Sequence, residues 1–240
     1  MLFLRSLLFY CGMTAATLIF TPLSILLYPL PYTKTFSIIR YWAVFNIWWL
    51  KVTCNLKHEV TWDSKPPEGP AIIMCKHQSA WETIALQLYF PAQTWILKRE
   101  LLYIPIYGWG LAATDPIAID RGSAISAFRK IVEKGCERLA RGIWVVVFPE
   151  GTRVAPGERG KYLPGGGMLA EKSGKPVVPV AHNAGYFWPR QSFIKRPGTI
   201  HMIIGPVIET AGRKATDITA EVEQWIESKT TQFSLQETGH

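Results

Sequence analysis

His77 and Glu82 form the first pair in this chain whose types and spacing could do chemistry. A histidine can take a proton near neutral pH, and a nearby carboxylate fixes its tautomer and stabilises the imidazolium that forms. In one continuous helix, residues five apart would point about 140° from each other. The local sequence avoids this. Ser79 followed three residues later by Glu82 is a capping box, so a helix is expected to start at Ser79, with His77 in the loop before it. Across that turn both side chains can face one space. The pair then reads as a general base and its orienting carboxylate, and no serine nucleophile is needed if the substrate brings its own hydroxyl. The plainer reading is a loop histidine beside a glutamate that only caps its own helix.

A second candidate lies at Phe148-Pro149-Glu150-Gly151-Thr152-Arg153. An apolar run stops at Pro149, which cannot continue strand pairing, and Gly151 allows a tight turn. Arg153 is then displayed at a strand end, where a guanidinium can grip a phosphate through two parallel hydrogen bonds. Alone, this segment reads equally well as a surface turn with a Glu–Arg pair.

The elements that must position these residues follow from the alternation of short apolar runs and helical patterns after residue 57. Strands are expected at 71–75, 94–97, 117–119, 143–148, 177–181 and 199–204. Helices are expected at 80–89, 124–141, 167–172 and 218–231. Such alternation predicts an α/β domain with a largely parallel mixed sheet flanked by helices, whose site lies at the carboxyl ends of strands. The helix at 124–141 is scaffold, capped by Ser123 and ended by Gly142.

Ahead of this domain, taken as residues 57–240, residues 1–56 read as a membrane-associated helical hairpin. No residue between Arg5 and Lys34 is charged, and residues 6–28 are long enough to span a bilayer, with Pro22 inside. Residues 36–54 mix Arg40 and Lys51 with Trp42, Trp48 and Trp49, as suits a helix at the lipid interface. The composition agrees: 48% apolar, 18% charged, 10 tryptophans and a net charge of +8. Without a Lys/Arg cluster interleaved with aromatics, the charge points to anionic lipid rather than nucleic acid. Cys11, Cys54, Cys75 and Cys136 form no CxxC pair, and Cys75 with His77 is too small a set for a zinc site.

Taken together, the segments resemble the 1-acylglycerol-3-phosphate O-acyltransferase (lysophosphatidic acid acyltransferase) family, which carries a His-x4-Asp signature and a downstream Glu-Gly-Thr-Arg block. Further blocks match at Lys98-Arg99-Glu100-Leu101 with Ile104-Pro105-Ile106-Tyr107-Gly108-Trp109, at Ile119-Asp120-Arg121, and at Val177-Val178-Pro179-Val180. Their ordered set covers roughly residues 70–185. Two positions depart from the pattern: Glu82 stands where the family has Asp, and Lys76 where it has Asn before the histidine. Lys76 would place a positive charge beside the base or bind a substrate phosphate.

The resemblance implies that His77 takes the proton of an acceptor hydroxyl, that Glu82 orients it, and that the oxygen attacks an acyl thioester directly. Lys98, Arg99 and Arg153 would hold the acceptor phosphate, and Glu150 would position Arg153 or the acceptor glycerol. Gly151 and Thr152 belong to the same substrate-binding block. Backbone amides near Gly151 or in the Gly165–Gly167 run are candidate oxyanion donors. It implies 1-acylglycerol-3-phosphate as acceptor, acyl-CoA or acyl carrier protein as donor and co-substrate, no metal or other cofactor, membrane lipids as partners, and a site at the cytoplasmic face of a membrane (the inner membrane in a bacterium). Glycerol-3-phosphate or a lyso-amino-acid lipid would use the same base. A hydrolase lacks support because no G-x-S-x-G elbow occurs. A non-catalytic membrane scaffold would require decay of a block that is intact.

Overall fold

The computed structural model describes residues 1–120 and 122–238; Arg121 and His240 lie outside the described residues. Six expected strands form close to their places: β2 (Ile72–Cys75), β3 (Gln93–Lys98), β4 (Ile117–Ile119), β5 (Trp144–Val147), β6 (Val177–His182) and β7 (Gly198–Ile204). A seventh, β1 (Leu56–Trp62), was not expected and pairs in parallel with β7 at one edge. The order is β1-β7-β6-β2-β5-β3-β4, parallel throughout except between β6 and β7. β2 and β5, at the centre, are buried along their whole length, so every side chain in them is apolar.

Helices cover both faces. On one lie α5 (Ala124–Ala140), α6 (Gly165–Ser173) and α8 (Ala215–Thr238), packed through Ile131, Leu169, Ile218, Val222 and Ile226. On the other lie α3 (Trp81–Tyr89) and the N-terminal pair, α1 (Leu2–Leu26) and α2 (Tyr32–Cys54). α1 runs through Pro22 without ending there, and α2 starts at Tyr32, behind Pro31. α1 is the one helix among the described residues long and apolar enough to cross a membrane, and most of it faces outward.

The helix pair is built into the core of the α/β domain. Phe9, Phe36, Ile47 and Leu50 share a buried cluster with Ile73, Trp81 and Trp188. The pair is held to itself by Trp42 Nε1 donating to Thr17 Oγ1 (3.0 Å) and Trp49 Nε1 donating to the Leu8 carbonyl (3.1 Å). It is tied to the domain by Lys195, which is fully buried. The Lys195 ammonium lies 3.3 Å from the Tyr10 ring centre and 4.5 Å from that of Trp188, and its amide donates to Ser6 Oγ (3.0 Å). Burial pushes Lys195 down to about 7, against the pull of the ring faces on the charged form.

Between β3 and β4 the chain makes a 3-10 turn at Arg99–Tyr103, then the short helix α4 (Tyr107–Ala112). The two are joined by a γ-turn. Ile106 sits at φ 67° and ψ −60°, and the Tyr107 amide donates to the Pro105 carbonyl two residues back (2.7 Å). For a β-branched residue this conformation costs about 1–3 kcal/mol, which the surrounding contacts must offset. α7 (Ala184–Phe187) closes the loop after β6.

Candidate active site

His77 lies two residues beyond the carboxyl end of β2, and its main chain is fixed from two sides. Its amide donates to Glu150 Oε2 (2.8 Å), and its carbonyl accepts from the Val154 amide (2.8 Å). The preceding residue is held as firmly: the Lys76 amide donates to the Val180 carbonyl (2.9 Å), and the Lys76 carbonyl faces His182 Nε2 (2.9 Å). His182 Nδ1 accepts from the Ala184 amide (3.2 Å), so the His182 proton sits on Nε2 and is donated to Lys76. Burial pushes the His182 pKa down, against the pull of Glu82.

His77 Nδ1 lies 2.8 Å from Glu82 Oε1, so the turn after β2 does bring the two side chains together. The same oxygen accepts from the amides of Ser79 (3.0 Å) and Gln78 (3.1 Å). Capping and orienting are therefore done by one carboxylate at once. The cap itself differs from the expected box. Ser79 Oγ takes the Trp81 amide (3.2 Å), and the regular helix begins at Trp81, two residues after the expected start. Glu82 is wholly buried, and its Oε2 lies 3.8 Å from His182 Nε2. Burial pushes its carboxyl up, but His182, His77 and the Ser79 amide outweigh that and hold it below the usual carboxylate range. A charged Glu82 accepts the hydrogen bond from His77 Nδ1–H, which leaves His77 Nε2 as the basic atom. The imidazole also stacks on Phe148, with ring centres 4.0 Å apart and planes 18° from parallel.

The His77 ring forms part of the wall of a cavity of about 980 Å³. Lys98, Glu150, Gly151, Thr152 and Arg153 line it too. The rest of the wall is mostly apolar and comes from both faces of the sheet: Phe20 and Phe36 from the helix pair, Ile84 from α3, Ala127 and Ile131 from α5, and Gly165 and Gly166 from α6. That size and lining suit long hydrocarbon chains with a charged group at one place. Glu82 stands behind His77, out of the wall, and Arg99 lies outside the cavity on the exposed 3-10 turn.

Three sequence expectations change here. Lys76 does not reach the cavity. It is completely buried, with Nζ 2.9 Å from Glu150 Oε1 and 2.8 Å from Glu227 Oε1. A substrate phosphate is therefore out of its reach, because both carboxylates of this pocket already hold it. Glu150 is engaged by Lys76 and the His77 amide, so it supports the histidine's main chain rather than the acceptor glycerol. Burial pushes its carboxyl up against the pull of Lys76. The Gly151 amide is turned to the Phe148 carbonyl (3.0 Å) inside its own turn, with φ at 67°, and is not free to meet an oxyanion. Sequence reasoning missed the Phe148 stack, which strand alternation could have suggested, and the Glu227–Tyr162 pair (2.9 Å) behind Lys76, for which no local signal exists.

A base held by a buried carboxylate, next to an apolar cavity whose wall also carries Lys98 and Arg153, is the equipment of an O-acyltransferase. The family model described as Acyltransferase matches residues 57–183 of the chain. The 1-acyl-sn-glycerol-3-phosphate acyltransferase of Pseudomonas aeruginosa is 39% identical over 96% of this chain and 92% of its own. The chain belongs to that acyltransferase family. The enzyme of the same name from Helicobacter pylori is 38% identical, over 47% of this chain and 48% of its own length. The fold is that of the 1-acyl-sn-glycerophosphate (LPA) acyltransferase PlsC from Thermotoga maritima, whose crystal structure superposes with a TM-score of 0.76 at 21% identity, covering 96% of this chain and 95% of that one.

Proposed function

We propose that this protein transfers a fatty acyl group from acyl-CoA or acyl carrier protein to the sn-2 hydroxyl of 1-acylglycerol-3-phosphate, forming phosphatidic acid. The observation that carries the reading is the His77–Glu82 contact (2.8 Å), with the imidazole opening into the apolar cavity. His77 Nε2 takes the hydroxyl proton as the oxygen attacks the thioester carbonyl. Glu82 stabilises the imidazolium that results. The tetrahedral intermediate collapses as the C–S bond breaks, and the leaving thiolate takes the proton back from His77. The first-turn amides of α6 at Gly165 and Gly166 have no partner within the helix and stand in the cavity wall, so they are the oxyanion donors of this reading. The reaction needs no metal and no resident cofactor. The relatives' names support the acceptor, the apolar outward face of α1 supports a site seated at a membrane, and the Lys and Arg carried by residues 57–240 favour its cytoplasmic side.

The test is free-thiol release from acyl-CoA by the full chain in detergent micelles, with and without 1-acylglycerol-3-phosphate. Release that depends on the acceptor and yields the diacyl product is the expected result. Release without acceptor would mean a hydrolase, and none with any lysolipid or carrier-protein donor would leave a scaffold.

Arg153, with Lys98, is the acceptor's phosphate grip. Its Nε is buried without a hydrogen-bond partner among the described residues, and Arg153 stands in the cavity wall. Arg153→Lys keeps the charge but loses the fork, so the KM for acceptor should rise about tenfold to a hundredfold, as expected for one charge-assisted hydrogen bond. kcat should change far less. A fall in kcat at unchanged KM would assign Arg153 to the chemistry instead.

A further inference from the structure

The segment joining β3 to α4 carries large apolar side chains outward: Tyr103, Ile104 and Trp109 are 67%, 44% and 56% exposed. Such residues normally bury, and a contiguous exposed group marks a contact surface. The strained γ-turn at Ile106 keeps this segment projecting rather than folded back into the domain. α4 packs on α1, with Gly110 against Thr21, and next to that contact α1 exposes Leu18 and Ile19 (51% and 66%). Trp109 on one side and Leu18 and Ile19 on the other thus flank the same α4–α1 contact. Leu101 and Tyr107 of the same segment line the cavity. Arg99 stands exposed at its edge, and among the described residues it pairs with no carboxylate, whereas Lys98 is held by Glu100 (3.0 Å).

We infer that residues 99–109 are a second lipid-contacting element, carried by the α/β domain itself and separate from the helix pair. Tyr103, Ile104 and Trp109 enter the boundary between headgroups and acyl chains, and Arg99 meets the phosphate of an anionic headgroup. A tyrosine, a tryptophan and an arginine around aliphatic side chains match that boundary, where one end of each side chain is dry and the other wet. A bilayer is the occupant because the patch flanks a contact with a helix long enough to span one, and because it borders the cavity that takes acyl chains. This inference rests on the membrane-seated acyltransferase reading and deepens it: substrate chains cross from lipid to the His77 cavity past Leu101 and Tyr107.

The experiment uses the full chain in vesicles of phosphatidylcholine and phosphatidylglycerol, with Cys11→Ser and Cys136→Ser removing the accessible thiols. An environment-sensitive fluorophore is placed at Ile104→Cys, at Ile19→Cys on α1, or at Glu68→Cys in the loop at the other end of the sheet. Lipids bearing a quencher at the acyl-chain boundary should quench the probes at 104 and 19 by about twofold or more and leave the probe at 68 unchanged, as a 5–10 Å immersion requires. Quenching at 19 without quenching at 104 would overturn the inference and leave the anchored enzyme intact. A probe at 104 that is shielded from water yet unquenched by lipid would overturn it in favour of a protein partner. No quenching at either 104 or 19 would overturn the membrane seat as well.

Discussion

His77→Ala is expected to reduce acyl transfer by about 10²–10⁴-fold, the range that a positioned general base contributes. kcat should fall with little change in the KM of either substrate, because the imidazole acts on the proton in flight and grips neither chain nor phosphate. The fold should survive, since His77 is half-buried and its main-chain bonds to Glu150 and Val154 do not depend on the ring. Glu82→Gln should follow it for a related reason. An amide can present its oxygen to the Ser79 and Gln78 amides, but it no longer supports a positive ring. Thiol release followed for both variants against the parent decides the point: a His77→Ala enzyme within tenfold of the parent would remove the base from the mechanism.

Lys76→Met should do its damage through stability. Among the described residues Lys76 is the one cation between Glu150 and Glu227, and with it gone Glu150 is left buried without its partner. Removing one partner of such a pair costs about 3–5 kcal/mol. In a chain of this size that corresponds to a fall of roughly 10 °C in the unfolding midpoint. Transfer falls too, because Glu150 also fixes the His77 amide. The companion variant Lys76→Met/Glu150→Gln removes the stranded carboxyl group while its amide oxygen can still accept the His77 N–H. It should regain at least half of the lost midpoint and part of the activity. A single variant that melts with the parent, or a double variant that melts lower still, would show that the pair does not hold this corner together.

The contrast between these two sites shows what a sequence of this kind makes legible. His77 and Glu82 are five residues apart, and the chemistry that starts a helix already places them face to face, so short-range spacing sufficed. The central strands were equally plain, because burial on both faces allows only apolar residues there. β1 was not, since it is an edge strand with one half-buried face, and His58 takes a position that an aliphatic residue would normally mark. His58 lies there because the Tyr89 hydroxyl meets its Nε2 (2.5 Å). The Lys76–Glu227 pair joins residues 151 apart, and a charge in sequence carries no sign of which distant charge it will meet. The γ-turn at Ile106 was also hidden, because nothing in the amino-acid type predicts a positive φ for isoleucine.

The cage around Lys195 and the pairing of β1 with β7 set an order of assembly. α1 leaves the ribosome ahead of the α/β domain, yet Ser6 Oγ waits for the amide of a lysine 189 residues later. Among the described residues β1 likewise has β7 as its only ladder partner, with Leu56 set opposite Gly198. Until about residue 204 has been made, the helix pair has no domain to close on, and the edge of the sheet stands open. Contacts so far apart in sequence form slowly, and exposed apolar surface invites aggregation meanwhile. The bilayer, by taking up α1 as soon as it is synthesised, would shield that surface while the rest of the chain is made. The membrane then serves biogenesis as much as catalysis, as the holding site from which the domain is completed.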